Sequence, residues 1–472
     1  MAQSWIPIPI DTKLYLNIDE TSLTKGLAAL ENSYITESGA HSRFPGLSDF
    51  VTLSGQGETY IYDQPFRGNG IAVSNGAIYE VSSAGVATAV AGVPLGGGYR
   101  PTFTETEDGL LMAAGSDAVL YNGKEAKVLS ENAPKCTHVA FIDGYALAND
   151  IGSNRIKYSN VGDIFTWNAL DQFTASTKPD PVTALHITDF REIMVCGGRS
   201  IEQHERLTTG STPFFRRWSV GEGVKAPYTV LTDIDNATWC VNKDGEFVRA
   251  SGQSSLPVSG DIQAVLDAID DTENGTWEGA WTGQINTKGQ KFIVLKLPSA
   301  TNVYGNKGRT LLYDYKQQKW AELYGWDADV GQPNVWPGHS VAMLWGKVLV
   351  GGNGKIFKLD QSAFNNGGAV QRMYGRTAHL SGVEMEIVNI RARLKRGVGG
   401  TSNPQFLLRA CRDNRRWSRW KSKGLGADGN RDIVIEFGGF GQGHTWQFEW
   451  MITDDCQVEL RSLEMQRDFL GE

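Results

Sequence analysis

A chain of 472 residues, with 45 Lys and Arg set against 53 Asp and Glu, carries a net charge of −8; that balance speaks against stable wrapping of nucleic acid, which takes a basic surface. Forty per cent of the residues are hydrophobic, enough for a large core, yet no run approaches the roughly 18 apolar residues of a spanning helix, and Met1 to Pro7 lack the basic patch and apolar stretch of a secretory signal. The 55 glycines and 14 tryptophans, set among Val, Ile and Thr runs, call for many short strands joined by tight turns.

In chain order, residues 1–50 read as an extended segment that closes a ring. From 51 to 371 one hairpin recurs: a glycine, a short apolar strand, a turn, and a second strand carrying an aromatic residue or isoleucine. The copies run from Gly70 to Val81, Gly109 to Tyr121, Gly144 to Tyr158, Glu192 to Glu202 and Thr238 to Val248. A stretched copy joins Phe292–Leu295 to Thr310–Tyr313, and the last runs from Lys347 to Phe357. Asn75-Gly76, Asp244-Gly245 and Asn353-Gly354 are strong hairpin turns, because both residue types accept positive φ. The spacing of roughly 35 to 55 residues is near the period of a four-stranded propeller blade. A blade buries its two faces only by stacking on neighbours, and a ring of blades also protects the strand edges. The pattern predicts a β-propeller of six or seven blades; a series of sandwiches joined by ordinary hairpins is the alternative.

One helix is expected near 259–270, capped by Ser259, with Ile262, Val265, Leu266 and Ile269 at i, i+3, i+4 and i+7; it should decorate a loop between blades. From residue 372 longer alternating strands take over, at 383–393, 405–411, 432–437, 445–453 and 457–465, and Trp446, Phe448 and Trp450 share a face. Residues 372–472 therefore read as a separate β-sandwich-like domain.

Five scattered cysteines without a C-x-x-C pair read as buried reduced thiols. The seven histidines are isolated, so no metal site is expected. Gly351 to Lys355 lies in a hairpin turn and Gly438 to Gly443 lies between strands, so neither cradles phosphate at a helix N-terminus. No cofactor and no catalytic residue is assigned. Ser159 to Trp167 has a faint likeness to the structural Asp-box of sialidase propellers, with its aspartate, Asp163, after the glycine. A propeller glycosidase, with two inward carboxylates, or a glycan-binding propeller stays open as the alternative function.

The most informative chemistry is a basic run: Arg391, Arg393, Lys395 and Arg396, then Arg409, Arg412, Arg415, Arg416, Arg419, Lys421 and Lys423, interleaved with Trp417 and Trp420. Strand alternation would place Arg415, Trp417 and Arg419 on one face and Arg416, Ser418 and Trp420 on the other. Both faces cannot be core, since burying unpaired guanidiniums is costly. Arg412, Arg415, Arg416 and Arg419 are the candidate partner contact, with a neighbouring subunit or ring protein favoured over DNA. A solvated sandwich face is the bland reading.

Four places together resemble the tail nozzle (packaged-DNA stabilisation) proteins of short-tailed phages. Ser42 to Leu47 looks like their R-x-F-P-G segment. Arg155 to Ser159 with Asp163 and Trp167 is similar to their "I-x-x-S…D…W" turn. Gly289 to Pro298, Leu312-Tyr313-Asp314 and Lys319 to Glu322 look like their "G-H-x-F-Y-x-L-x-x-P…Y-D…W-x-E" blade, with Gln290 in place of His and Ile293 in place of Tyr. Trp417 to Trp420 resembles their "W-S" strand. The resemblance implies a hexameric, propeller-built tube in the virion tail, assembled in the host cytoplasm below the portal and adaptor rings. Such a tube holds packaged double-stranded DNA in, passes it at ejection, and carries tail spikes or fibres and a needle or plug.

Overall fold

The structure, a computed structural model, describes residues 5–10, 29–207, 213–233, 235–270, 276–287, 289–377, 379–397, 399, 403–413 and 415–469. Of the N-terminal segment, residues 1–4 and 11–28 lie outside these.

Six sheets are blades of a propeller: 59–89, 91–128, 139–174, 182–220, 231–257, and 340–370 together with Gly46–Thr52. They are numbered 1 to 6 here. Between blades 5 and 6 the ring is completed by Trp281–Thr287, Gln290–Thr301, Lys307–Asp314 and Lys319–Glu322, the first four strands of a much larger sheet. Successive cores close the circle. Ile71 and Leu110 join blades 1 and 2, Leu111 and Ala146 blades 2 and 3, and Leu147 and Ile193 blades 3 and 4. Met194 and Cys240 join blades 4 and 5, and Leu349 and Ala72 join blades 6 and 1.

The hairpin pattern has a simple physical origin. Leu110–Ala113 is buried throughout. Leu110 and Met112 enter the core shared with blade 1, whereas Leu111 and Ala113 enter the core shared with blade 3. A two-residue side-chain period with both faces covered turns the usual alternation into an unbroken apolar run. Asn75 and Gly76 both have positive φ, 48° and 78°, as a tight two-residue hairpin requires. At Asp244-Gly245 and Asn353-Gly354 only the glycine does, so those turns are of a wider type.

The helix forms at Gln263–Asp270, but it does not decorate a loop. Ile262, Val265, Leu266 and Ile269 are buried in the same core as Trp239, Phe247 and Trp320. Ser259 does not cap it: its hydroxyl accepts the Phe247 N–H at 3.1 Å and donates to Gln263 Oε1 at 2.6 Å.

Beyond the ring the large sheet continues through Ala29–Glu31 and Met373–Arg376 into the C-terminal strands, so the C-terminal unit is hydrogen-bonded to the propeller instead of being a detached sandwich. The two strands expected at 432–437 and 445–453 are one, Ile433–Ile452. Gly438, Gly441 and Gly443 stay in the ladder, opposite Asn389, Ile387 and Met385, while Gly439 falls in a register shift. The first half of this strand pairs with Leu380–Arg396, and the second half with Gln405–Arg412 and Met373–Arg376. Bent in this way, one sheet supplies both layers of a core holding Phe406, Leu408, Phe437, Leu460 and the fully buried Trp446, Phe448 and Trp450.

Candidate functional site

Two places could carry function: the axis of the ring and the basic run of the C-terminal sheet. On the axis two cavities, about 510 and 550 Å³, share Tyr60, Arg100 and Tyr228. Arg100 lies over the rings of Tyr60 and Trp281, at 5.0 and 4.6 Å, and donates to the His339 carbonyl at 2.6 Å. Glu58 accepts from Tyr60 and pairs with His339 Nδ1 at 3.2 Å. The hydrogen bond from His339 is the main reason that its pKa is lowered to about 2. A glycosidic proton donor needs the opposite shift. Lys296 is buried and donates to the carbonyls of Trp336 and Gly338 at 3.1 and 2.5 Å; burial lowers it to about 8. His138, stacked on Tyr228 at 5.1 Å, and His186, 2.7 Å from Thr232 Oγ1, are lowered by burial to about 3 and about 4 and stay neutral near pH 7.

These groups are absorbed in holding the ring together. The turn from Ser159 to Trp167 is likewise self-contained. Asp163 accepts the Phe165 N–H at 3.0 Å and the Thr166 hydroxyl at 2.7 Å, while Trp167 Nε1 donates to the Ile164 carbonyl at 2.8 Å. Among the described residues no cluster of His, Cys, Asp and Glu is placed to hold a metal ion, and no helix is long and apolar enough to cross a membrane.

The basic run divides into two halves with different surroundings. In its first half the cations face carboxylates across the sheet. Arg391 and Arg393 pair with Glu464, Lys395 with Glu459 at 3.3 Å, and Arg396 with Asp428. In the second half Arg409 is engaged in the same way, 2.5 Å from the fully buried Glu449. Glu449 also accepts from Tyr374 at 2.6 Å and from Arg376 Nε at 2.7 Å. Neither Glu449 nor Arg376 was singled out by sequence reading. The signal was present: an acid between Phe448 and Trp450 in a buried strand needs a cation beside it.

Arg412, Arg415, Arg416 and Arg419 are all exposed. Among the described residues none of them has a carboxylate within ion-pair distance; the ion pairs described in this unit are made by Arg372, Arg376, Arg391, Arg393, Lys395, Arg396, Arg409 and Arg461. The expected alternation fails here. Arg416–Trp417 is a two-residue strand. The chain then bulges, with the Ser418 N–H donating to the Ala410 carbonyl at 2.8 Å and Ala410 N–H to Ser418 Oγ at 3.1 Å. As a result Trp417 and Trp420 both stack on Arg409, at 4.9 and 4.4 Å, and Arg376 lies 5.4 Å from the Trp417 ring. The rings brace the hairpin and leave the four arginines outward.

A family model described as bacteriophage P22 Gp10, beta-propeller, matches residues 21–363. No curated protein matches. Among solved structures, a streptogramin B lyase is similar at 12% identity and a TM-score of 0.43, over 66% of this chain and 97% of that one. The extracellular domain of the putative one-component system BT4673 from B. thetaiotaomicron is similar at 10% identity and 0.42, over 87% and 57%. YCF48 from Cyanidioschyzon merolae is similar at 12% identity and 0.40, over 66% and 98%.

Proposed function

Because the chain belongs to the phage stabilisation family of P22 Gp10, a structural β-propeller family and not an enzyme family, we propose that it is the nozzle of a short phage tail. In this reading copies of the chain, six to a ring, form a tube in the virion below the portal and adaptor rings. The tube retains the packaged double-stranded DNA, passes it at ejection, and carries tail spikes or fibres and a needle or plug. Residues 51–371 act as the propeller body, the first 50 as the tie that closes it, and 372–472 as the unit that meets partners. Arg412, Arg415, Arg416 and Arg419 are the contact residues within that unit.

The observation that carries this reading is the family match, which runs from before the strand Ala29–Glu31 through most of blade 6. The test is a phage whose gene for this chain is interrupted. Heads should fill with DNA and then lose it, and adding purified chain should restore DNA retention and infectivity. Mutant particles that keep their DNA and infect normally would overturn the proposal.

A further inference from the structure

The turns at one end of blades 2, 3 and 4 form a second unusual surface. Strands 102–105, 139–142 and 182–187 run side by side, so the segments that follow them leave the ring at the same end. Gly144 touches Val161 there, and Asp143 of blade 3 pairs with Arg191 and Arg206 of blade 4. This end carries Glu105, Glu107, Asp108, Asp163, Asp171 and Asp189, none of them in an ion pair among the described residues. Interspersed are exposed apolar side chains, Leu170 at 87% and Phe190 at 69%, with Val161 and Phe165. Scattered apolar residues are ordinary on a surface, but four on adjoining turns, set among acids outside any described ion pair, form a patch.

We propose that the arginine hairpin of one copy, Arg412 to Arg419, docks on this acidic, apolar end of blades 2 to 4 in a second copy. This inference rests on the oligomeric tail reading and names its contact. The charges are complementary: among the described residues four exposed cations outside any ion pair, with Asp413 acting on Arg415 as a neighbouring acid, face six acids outside any ion pair. Arg stems and the edges of Trp417 and Trp420 suit Leu170 and Phe190, since guanidinium side chains cover apolar surface with their stems. Nucleic acid fits less well, because stacked bases need open aromatic faces, and those of Trp417 and Trp420 already hold Arg409 and Arg376. Around the ring blade 5 stands between blades 2 to 4 and the sheet that bears the hairpin, so the proposed contact joins the hairpin of one copy to the blades of another. A contact between two unlike surfaces is head-to-tail and closes into a ring when its rotation permits.

The test uses the full chain in sedimentation velocity. Wild-type chain should self-associate at low salt, and less so as salt rises, because exposed charges are screened. Arg415→Glu with Arg419→Glu should weaken association by about tenfold or more, as should Glu107→Lys with Asp189→Lys. Mixing the two variants should restore it, since each then meets an opposite charge. Unchanged melting of each variant excludes misfolding; a variant that melts early is replaced by Arg415→Gln with Arg419→Gln or Glu107→Gln with Asp189→Asn. A wild-type chain that never associates overturns the docking, as do an acidic-end variant that associates normally and a mixture that is not restored. Immunogold labelling of particles reads the larger proposal separately: labelled tails with a failed charge swap remove only this contact, and unlabelled tails remove the nozzle.

Discussion

Arg43 shows what a single side chain does between the propeller and the C-terminal sheet. It is 2% exposed, and burial lowers its pKa to about 10. Its guanidinium donates to the carbonyls of Cys456 and Phe364 at 3.0 Å each, and also to those of Asp454 and Gln371. Next to it Phe44 packs edge-on against Phe292 at 5.7 Å, and a Cβ at Gly46 would stand 2.3 Å from the Asn365 carbonyl oxygen. The segment was legible in the sequence as a motif, but its work was not, because its partners lie more than 300 residues away. Arg43→Ala should leave three buried carbonyls, those of Cys456, Phe364 and Gln371, short of a donor and cost about 3 kcal/mol or more. Scanning calorimetry should show a matching fall in melting temperature, and an unchanged melt would refute the role. The axial histidines give a second expectation. Burial lowers His138 and His186 to about 3 and about 4, so the unfolded chain binds protons first as the pH falls below about 6.5. Their contribution is complete above that pH and is lost as the pH drops through 6.5 toward 3. His138→Gln with His186→Gln should flatten the fall of melting temperature between pH 7 and 4. A double variant with the wild-type pH slope would show that these two do not govern it.

At the scale of elements, the sequence was most readable where local pattern and final environment agree. The middle strands of the blades are apolar because both faces are covered, and each was visible as a hairpin. The helix at Gln263–Asp270 was visible too, but not its depth, because an apolar stripe does not say which core it joins. The strand Ile433–Ile452 was misread as two. Its glycines look like a turn, yet Gly439 and Gly441 supply positive φ within the strand and Gly443 serves close approach, since a Cβ there would stand 2.5 Å from Arg412 Cγ. The arginine hairpin was located as a candidate, but its facing was not, because the bulge at Ser418 breaks the two-residue period. Gly375 gives the sharpest test of close approach. A Cβ there would fall 1.9 Å from the Trp450 ring, and Trp450 is fully buried. Gly375→Ala should therefore push that ring out of its place and cost about 1–3 kcal/mol by overpacking. Near-ultraviolet circular dichroism together with denaturant unfolding should report both effects, and a wild-type signal and midpoint would mean that the ring moves freely.

At the scale of the whole molecule the ring is closed by the beginning of the chain. Gly46–Thr52 is the fourth strand of blade 6, paired along Lys355–Asp360 from Thr52 opposite Lys355 to Gly46 opposite Asp360. A strand drawn from before blade 1 completes the last blade, so leaving it out would open the circle and expose the edge of Lys355–Asp360. Every core in the circle is shared by neighbouring sectors, which means that no blade has a complete core of its own. Cooperative unfolding of the whole ring follows from that sharing, because losing one sector strips its two neighbours of a face. Leu47, fully buried in the closing strand, tests this at a distance. Leu47→Ala should cost about 2–5 kcal/mol, and the loss should be felt around the ring. Native-state hydrogen exchange should record the same fall in opening free energy at Val350 of blade 6 and at Leu147 of blade 3, which lies across the circle. If the Leu147 amide keeps its wild-type protection while Val350 loses its own, the blades open one by one and the ring is not a single cooperative unit.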